Sequence, residues 1–393
     1  MYGKRIVSYV VALLLIALFL TACRMMEWNT PDTTESDSSA TTENESETGH
    51  MQIDQIPTLE VTEIGIPYSS LPAQARIPWD LFLYDGYLYV GAGNYNDNLS
   101  PKQFMRYHIT ESVWENCGIV SDEQIARFLL IGEELMVPGI DPTGDWSRGN
   151  YYVLEGNEFS IQRVIPDAIH TFDMVEYDGK IFTGDGVHGG KFPVSVAQSQ
   201  TQDFIRVPFY KEGNLLDTSA NTEVRVYDFF VCNNTLYAFL TLDAERTIYR
   251  YDGEAFVYDN KWSNKIVLLR DDTHVPIRAK GNLNGNIYFT TGILYVTKDM
   301  KNLSAVDVGD SERITDIALY DNICYALGYR KLSDGRYENR IYVLSDHDAH
   351  LTASFIGDAP AVSFACTHDT WYFGFSSPYV GYIATAARAD DIR

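Results

Sequence analysis

The sequence has little positive charge. It contains 30 lysine and arginine residues against 54 aspartate and glutamate residues, so its 393 residues carry a formal net charge of −24 at pH 7. Such a surface repels negatively charged polymers. We therefore do not expect a nucleic acid to be a partner of this chain.

Motifs that bind nucleotides or activate a serine are also missing. The chain has no Gly-x-x-x-x-Gly-Lys-Ser/Thr loop, no Gly-x-Ser-x-Gly elbow, and no dinucleotide fingerprint that follows a strand and precedes a helix. His347 and His350 fall in a predicted turn, where exposed turn residues are a better interpretation than metal ligands. We predict no cofactor on these grounds.

The sequence also has no sustained helical period. Apolar and polar residues alternate in short runs instead. The clearest example is Asp80–Gly91, in which two apolar runs flank the dipeptide Asp85-Gly86. This dipeptide readily adopts positive φ angles and is typical of tight β-hairpins. The sequence therefore predicts an all-β fold.

The same twelve-residue frame recurs along the chain. Its predicted starts are 37 to 55 residues apart and lie at Asp80, Arg127, Asp173, Asp228, Ala279, Asp316 and Ser363. This period suits one four-stranded blade per repeat. We predict an all-β, seven-bladed β-propeller over residues 58–393, with six and eight blades as open alternatives.

The last repeat is one strand short. Alternating residues at Leu59–Ile66 form an additional predicted strand that has no hairpin of its own. We predict that this segment becomes the outer strand of the last blade, which closes the ring and removes an exposed sheet edge.

The N-terminus has the pattern of a secretory signal. Lys4 and Arg5 precede the apolar run Ile6–Leu20, which is shorter than the ~20 residues that a transmembrane helix needs. The ending Leu20-Thr21-Ala22-Cys23 resembles the lipobox of bacterial lipoproteins. The resemblance implies cleavage after residue 22, a diacylglyceryl group on the Cys23 thiol, and a lipid-anchored protein on the extracytoplasmic face of the cell membrane.

Residues 23–57 then form a predicted tether. Its centre, Thr33–Glu47, is rich in Thr, Ser, Glu and Asp and has almost no large apolar side chain. Such a segment cannot offset the entropy of ordering, so we expect a disordered, extended linker.

The remaining cysteines, Cys117, Cys232, Cys324 and Cys366, fall in different repeats and mostly in strand positions. We expect buried thiols there rather than a disulfide framework.

The repeat core Tyr-Asp-Gly-x-Leu-Tyr-x-Gly resembles the repeats of Kelch-like and sialidase-like propellers. The hairpins Val296–Leu303 and Leu344–His350 are similar to the Asp-box hairpin of sialidases, although both lack its glycine and tryptophan. Sialidase-like catalysis implies three arginines that hold a carboxylate, a tyrosine and an acid. Asp185 is the candidate acid, and the arginines available in or beside loops are Arg76, Arg127, Arg148, Arg278, Arg313 and Arg330.

Propellers usually bind ligands on the face that carries the loops between second and third strands. Four such loops, residues 91–101, 138–149, 184–192 and 328–337, are rich in aromatic, amide and charged groups. Aromatic rings with hydrogen-bonding neighbours suit a carbohydrate or a peptide. The candidate binding residues are Asn94, Tyr95, Asp97, Trp146, Arg148, Asp185, His188, Arg278 and Arg330.

Aspartate occupies the first position of the frame at Asp80, Asp173, Asp228 and Asp316. A ring of carboxylates could hold Ca²⁺. We favour the alternative, in which each aspartate accepts hydrogen bonds from backbone amides at a blade junction.

Two functional hypotheses follow. The first is a monomeric, membrane-anchored extracytoplasmic binding or scaffold protein that recognises a glycan or a surface protein through the loop face of the propeller. The second is a glycan-processing hydrolase or lyase. An enzyme should gather several of Arg148, Asp185, His188, Arg278 and Arg330 in one cleft.

Overall fold

The computed structural model describes residues 56–198, 203–219, 223–242, 245–258, 278–311, 313–377 and 379–388. The helical elements in these ranges are two short 3-10 turns, Ala73–Ala75 and Tyr95–Asp97. This part of the chain contains no helix that is long and apolar enough to cross a membrane. The predicted signal, Cys23 and the tether up to residue 55 lie outside the described residues.

Antiparallel meanders of four strands make up the described chain, and each predicted frame start falls at or beside the first strand of one meander. We number these meanders as repeats. The first strand in the chain is β1 (Thr62–Gly65). Repeat 1 contains β2 (Leu81–Tyr84), β3 (Tyr87–Val90), β4 (Gln103–His108) and β5 (Val113–Ile119), and it is followed by β6 (Asp122–Gln124). Repeat 2 contains β7 (Leu129–Ile131), β8 (Glu134–Pro138), β10 (Gly149–Glu155) and β11 (Glu158–Ile165), with β9 (Ile140–Pro142) in its second loop. Repeat 3 contains β12 (His170–Tyr177), β13 (Lys180–Val187), β14 (Val194–Gln198) and β15 (Ile205–Arg206).

The hairpin β16 (Phe209–Lys211) and β17 (Asn214–Leu215) precedes repeat 4, which contains β18 (Val224–Cys232), β19 (Thr235–Leu242), β20 (Glu245–Tyr251) and β21 (Phe256–Tyr258). Repeat 5 contains β22 (Arg278–Leu283), β23 (Asn286–Thr290), β24 (Leu294–Thr297) and β25 (Leu303–Ala305). Repeat 6 contains β26 (Arg313–Tyr320), β27 (Ile323–Lys331), β28 (Tyr337–Ser345) and β29 (Asp348–Gly357). Repeat 7 contains β30 (Ala361–Cys366), β31 (Thr370–Phe375) and β32 (Ile383–Ala387), with β1 as its fourth strand.

Five repeats form separate four-stranded sheets, whereas repeats 3 and 4 belong to one ten-stranded sheet. The two are joined where the end of β13 pairs with the start of β18, through Gly186–Arg225 and Val187–Val224. The hairpin β16–β17 covers the outer edge of repeat 4 through a parallel pairing with β21. The predicted all-β propeller is confirmed.

The N-terminal segment closes the ring, as predicted. β1 pairs antiparallel with β32 through Thr62–Thr385 and Glu63–Ala384. Just before β1, the amide of Leu59 donates to the carbonyl of Ser354 in repeat 6, at 2.8 Å. The segment therefore bonds to two neighbouring repeats at the point where the chain ends meet.

Repeat 1 also holds this segment. Trp114 Nε1 donates to the Ile64 carbonyl at 2.8 Å. The buried Tyr68 hydroxyl donates to the Val90 carbonyl at 3.0 Å and accepts from the Met105 amide at 3.2 Å. One stretch of chain thus connects repeats 6, 7 and 1.

The frame residues have the roles that their chemistry favours. Asp85 and Gly86 both have positive φ, 48° and 80°, as the hairpin between β2 and β3 requires. Gly91, the last residue of the first frame, lies against repeat 2, because a Cβ added there would be 2.6 Å from the Ile125 carbonyl oxygen. Glycine at this position allows the next repeat to cross closely.

The core consists of clusters of side chains, several of which lie between neighbouring repeats. One cluster joins repeats 6 and 7 and includes Tyr325, Phe355, Trp371 and Phe373, all buried. The cysteines Cys117, Cys232, Cys324 and Cys366 are free and buried, which confirms the prediction of thiols rather than bridges.

Candidate functional site

Backbone hydrogen bonds connect the loops of repeats 1 to 4 on the loop face. The Asn94 amide donates to the Glu123 carbonyl at 3.0 Å, and β6 pairs with β9. The Thr171 amide then donates to the Gly139 carbonyl at 2.9 Å. The bridge between Gly186 and Arg225 continues the series into repeat 4. These bonds fix the positions of loops that would otherwise be independent.

A β-bulge recurs immediately before the first frame position. The register shifts between Thr171 and Asp173 in β12 and between Val226 and Asp228 in β18, so that Phe172 and Tyr227 are the extra residues. Bulges redirect side chains locally. The rings of Phe172 and Tyr227 meet at a centroid distance of 4.4 Å.

These two rings belong to a group that we call the loop-face cluster. Its members come from repeats 1 to 4 and are Tyr95, Ala126, Ile140, Phe172 and Tyr227. In a propeller the first strands surround the central axis. The cluster therefore lies at the loop-side end of the inner strands.

Charged and polar groups surround the loop-face cluster. The Arg225 guanidinium carbon lies 5.9 Å from the ring centroids of both Phe172 and Tyr227. Its Nη1 donates to the Tyr227 hydroxyl at 2.9 Å, and its Nη2 lies 3.3 Å from the Glu223 carboxylate. His170 stacks on Phe172 at 5.3 Å. The Nδ1 atom of His170 lies 3.7 Å from Asp141 Oδ1.

The ionisable groups around the cluster have shifted pKa values. Burial, followed by the negative charges of Asp141 and Asp122, raises the pKa of Glu123 to about 7. Burial also raises the pKa of Asp141, although Arg225 opposes this shift. Burial, with smaller effects of Arg225 and His188, lowers the pKa of His170 to about 3. At neutral pH, His170 is therefore a neutral imidazole. A concentration of shifted groups is typical of binding and catalytic sites.

A buried ion-pair network lies at the frame aspartates. Arg127 of repeat 2 reaches Asp173 of repeat 3 at 2.8 Å and Asp228 of repeat 4 at 2.9 Å. Burial raises the pKa of Asp173 to about 6 despite the opposing charge of Arg127. Arg127 thus supplies to Asp173 and Asp228 the positive charge that a Ca²⁺ ion would have supplied. Within the described ranges, no group of three or more His, Cys, Asp or Glu side chains could hold a metal ion.

The frame aspartates also have the predicted structural role. Asp80 Oδ2 accepts from the Phe128 amide at 2.7 Å, and Asp173 Oδ2 accepts from the Phe229 amide at 2.8 Å. Asp316 Oδ2 accepts from the Phe364 amide at 3.0 Å. In each case the acceptor lies in one repeat and the donor lies in the next. The prediction of hydrogen bonds at blade junctions is confirmed for these three residues.

Three of the candidate residues lie in the first loop. Tyr95 packs against the loop-face cluster. The Asn94 side chain accepts from the Asp97 amide at 3.2 Å and donates to the Asp97 carboxylate at 3.0 Å. Asn94 and Asp97 therefore shape the 3-10 turn that presents Tyr95.

Trp146, Arg148 and His188 lie outside the buried part of the site. The Trp146 side chain is 62% exposed, and its Nε1 donates to the Pro142 carbonyl at 2.5 Å. Arg148 donates to the Val164 carbonyl at 3.4 Å. His188 is exposed just beyond the end of β13. The exposed indole ring is available for contact with a partner.

The prediction that Asp185 lies in a ligand-binding loop is wrong. Strand β13 extends to Val187, so Asp185 is a strand residue and is fully buried. Its Oδ2 accepts from Arg206 Nη1 at 2.6 Å and from the Thr183 and Ser195 hydroxyls at 3.1 Å. Burial raises its pKa to about 6 despite Arg206. Asp185 holds repeat 3 together and does not face solvent.

Arg330 lies in strand β27 of repeat 6 rather than in a loop. Its Nε donates to Glu338 at 2.5 Å, and it also pairs with Asp310. Arg340 binds the same two carboxylates, at 3.0 Å for Glu338 and 2.5 Å for Asp310. Arg330 therefore belongs to an ion-pair network of repeat 6. The side chain of Arg278 lies outside the described part of the chain.

Sequence reasoning missed Phe172, Tyr227, His170, Arg225, Asp141 and Glu123. A signal was available, because Phe172 and Tyr227 each directly precede the aspartate that starts a frame. The bulge that turns these rings towards one another has no residue signature in this sequence. The pattern therefore marks the two positions but does not predict that their side chains meet.

No family model matches the chain, and no curated protein matches it in sequence. Solved structures with a similar fold include the WD40 β-propeller domain of Doa1, with 12% identity, a TM-score of 0.49, and coverage of 84% of this chain and 98% of that one. BamB from Moraxella catarrhalis has 9% identity, a TM-score of 0.40, and coverage of 79% and 84%. A putative 6-phosphogluconolactonase from Bacteroides uniformis has 13% identity, a TM-score of 0.45, and coverage of 74% and 89%. These identities are low, and the propeller architecture of this chain is defined by its own strand pairings.

Proposed function

We propose that this protein is a lipid-anchored, extracytoplasmic binding or scaffold propeller. It recognises a glycan or a surface protein through its loop face, with the loop-face cluster at the centre of the contact area. The Leu-Thr-Ala-Cys ending of the signal supports the anchor, and the acidic segment after it supports a tether that gives the propeller reach.

We interpret the ring as seven-bladed. Five blades are separate sheets, and the two meanders of the ten-stranded sheet supply two more. The short pairing of two residues between β13 and β18 that merges these two meanders lies at the loop-side ends of the strands, beside His170 and Arg225. Only the extended end of β13, beyond its pairing with β14, reaches β18, and this is consistent with two blades that share a joint.

The observation that carries the proposal is the combination of aromatic rings and shifted ionisable groups at one end of the inner strands. Phe172 and Tyr227 are buried and form the base of the site, and Tyr95, packed against them, is a partly exposed ring. The partly exposed Arg225, Asp141 and His170 provide donors and acceptors beside these rings. This mixture suits polar ligands that also have apolar faces, which include sugars and peptides.

The enzyme alternative has less support. Arg148, Asp185 and Arg330 bond to different partners in repeats 2, 3 and 6. Arg127 is committed to Asp173 and Asp228, and Arg76 donates to the Leu71 carbonyl at 2.6 Å. Four of the six arginines assigned to a sialidase-like site, Arg76, Arg127, Arg148 and Arg330, therefore have structural partners of their own.

A comparison of two surface variants tests the binding proposal. The purified protein is applied to a glycan array and used to capture proteins from envelope extract, as wild type, as Trp146→Ala and as Leu319→Ala. Trp146 is exposed on the loop face, whereas Leu319 is an exposed apolar residue near the end of β26, at the opposite face. We expect a saturable ligand that Trp146→Ala weakens and Leu319→Ala does not. Equal weakening by both variants, or no ligand in either format, would contradict the proposal.

The anchor is tested separately. Cys23→Ser should abolish incorporation of labelled fatty acid and move the protein from the detergent phase to the aqueous phase on partitioning. A Cys23→Ser protein that still carries label would show that the lipid is attached elsewhere.

A further inference from the structure

Arg388 is enclosed by aromatic rings at the junction of repeats 6 and 7. Its guanidinium carbon lies 5.3 Å from the ring centroid of Tyr320 and 5.2 Å from those of Tyr325 and Trp371. Two of these rings come from repeat 6 and one from repeat 7. A cation within about 6 Å of a ring centroid is attracted by the negative face of the ring.

Neutral oxygens complete the surroundings of Arg388. Nη2 donates to the Tyr325 hydroxyl at 2.5 Å, and Nη1 donates to the Thr367 carbonyl at 3.0 Å. The backbone amide of Arg388 donates to the Asp369 carbonyl at 2.9 Å. In the described part of the chain, the interactions of its guanidinium are with rings and neutral oxygens, not with a carboxylate. Cation–π attraction and the planar array of N–H donors therefore hold this side chain. Such surroundings favour a guanidinium over an ammonium group.

We call Tyr320, Tyr325 and Trp371 the aromatic cage, and two of these three rings are held in place by contacts other than Arg388. Tyr325 and Trp371 are fully buried in the core that repeats 6 and 7 share. Their rings make an edge contact with each other at 5.1 Å, and Trp371 stacks on Phe364 at 6.1 Å. Removal of the arginine side chain should therefore leave a preformed cavity rather than a collapsed one.

We propose that Tyr320, Tyr325 and Trp371 form a guanidinium-binding site that Arg388 occupies within the same chain. Arg388 directly follows β32 and links repeats 6 and 7 on their turn side, the face opposite the loop-face cluster. This site is separate from the surface assigned to ligand binding under the proposed function. It is also separate from the N-terminal closure, because it uses the turn sides of repeats 6 and 7 and not the pairing between β1 and β32.

Chemical rescue tests the site. Arg388→Ala should lower the melting temperature by about 2–4 °C, and ethylguanidinium at millimolar concentration should restore part of that loss. Arg388→Met keeps much of the side-chain length without the charge, and it should lose stability without being rescued, because its side chain still fills the cage. Calorimetric titration of the Arg388→Ala protein with ethylguanidinium should show one binding site, which the wild type lacks because the cage is full.

Arg336→Ala is the matched control. Arg336 is an exposed arginine in repeat 6 that pairs with its neighbour Asp334 at 2.8 Å. Ethylguanidinium should lower the melting temperature of the wild type and of Arg336→Ala slightly and equally, as a weak denaturant. The proposal is overturned if ethylguanidinium affects Arg388→Ala in the same way, or if the titration shows no site. If Arg388→Ala does not fold, Tyr320→Leu is used in its place. Arg388→Met should then lower the melting temperature of the Tyr320→Leu protein by less than it lowers that of the wild type.

Discussion

At the scale of the residue, a frame aspartate connects one repeat to the next at three junctions of the ring. Asp80, Asp173 and Asp316 share the first frame position, and each accepts an amide hydrogen from the following repeat. A buried amide without a partner is costly, so an acceptor that reaches across the junction contributes to stability and sets the spacing of neighbouring sheets. The aspartate therefore recurs because the junction recurs, and a bound ion is not needed to explain this pattern.

Asp80→Ala tests this role. The change leaves the Phe128 amide without its side-chain acceptor in a buried position, so we expect the free energy of unfolding to fall by about 1.5–3 kcal/mol. Asp80→Asn retains an oxygen that can accept the same hydrogen and should lose less. Urea unfolding followed by circular dichroism measures both. Equal losses for the two variants would show that the charge, and not the hydrogen bond, is what the junction needs.

Glu123 should make stability depend on pH near neutrality. Its pKa is raised to about 7 in the folded chain, above its ordinary value of 4.5. The folded state therefore penalises the ionised form. The penalty is absent below the ordinary pKa and is fully developed above about pH 7. Glu123→Gln should therefore stabilise the protein at about pH 8 and change little at about pH 5.

Melting curves of wild type and Glu123→Gln at these two pH values measure the effect. Glu134→Gln is the control, since Glu134 is exposed at the start of β8. A Glu123→Gln variant with the same stability difference at both pH values would argue against the raised pKa.

At the scale of the element, the N-terminal segment contacts three repeats, whereas an ordinary outer strand pairs only within its own sheet. It pairs with repeat 7 through β1, bonds to Ser354 of repeat 6, and is held by Trp114 of repeat 1. A strand in this position covers the edge of β32 and connects the two ends of the chain in one sheet. Its removal should therefore affect the whole ring and not only one edge.

A chain that lacks Leu59–Ile66 should melt at a lower temperature than the wild type and should aggregate on heating, because the edge of β32 is then unpaired. A chain that lacks Thr33–Glu47 is the control, because this deletion removes a segment of the predicted tether instead of a strand. Its melting temperature should equal that of the wild type. Differential scanning calorimetry with light scattering measures both outcomes. Indistinguishable transitions in the two shortened chains would contradict the assigned role of β1.

The sequence was informative where a feature repeats and uninformative where it does not. Asp85-Gly86 and its counterparts identify the hairpins, because positive φ has a residue signature, and the deficit of one strand in the last repeat identifies the partner of β1. Asp185 was misplaced, because no residue marks the point where β13 ends and the next loop begins. Its burial depends on Arg206, 21 residues away, which no local pattern reveals.

At the scale of the whole molecule, negative charge is both abundant and partly buried. The chain carries a formal net charge of −24. Burial raises the pKa values of Asp173 and Asp185 to about 6 and that of Glu123 to about 7. Asp173 lies at the junction of repeats 3 and 4, Asp185 lies inside repeat 3, and Glu123 lies between repeats 1 and 2. Protonation of these carboxyl groups therefore acts on several repeats and not on one loop.

The whole protein should therefore be most stable in mild acid. Between about pH 4 and pH 7 the folded chain binds more protons than the unfolded chain at these three groups, so the free energy of unfolding must fall as the pH rises through this window. Exposed carboxylates with lowered pKa values, including those of Asp310 and Asp334, act in the opposite sense, and their contribution is lost only as the pH falls below their ordinary value of 3.8. His170, whose pKa is lowered to about 3, also opposes the three buried carboxyl groups below pH 6.5, but it is one group against three. The melting temperature should accordingly pass through a maximum at about pH 4 and fall from there to pH 7. Scanning calorimetry between about pH 3 and pH 8 would show this maximum, whereas a melting temperature that rises steadily from pH 5 to pH 8 would mean that the buried carboxylates are better compensated by Arg127 and Arg206 than the raised pKa values imply.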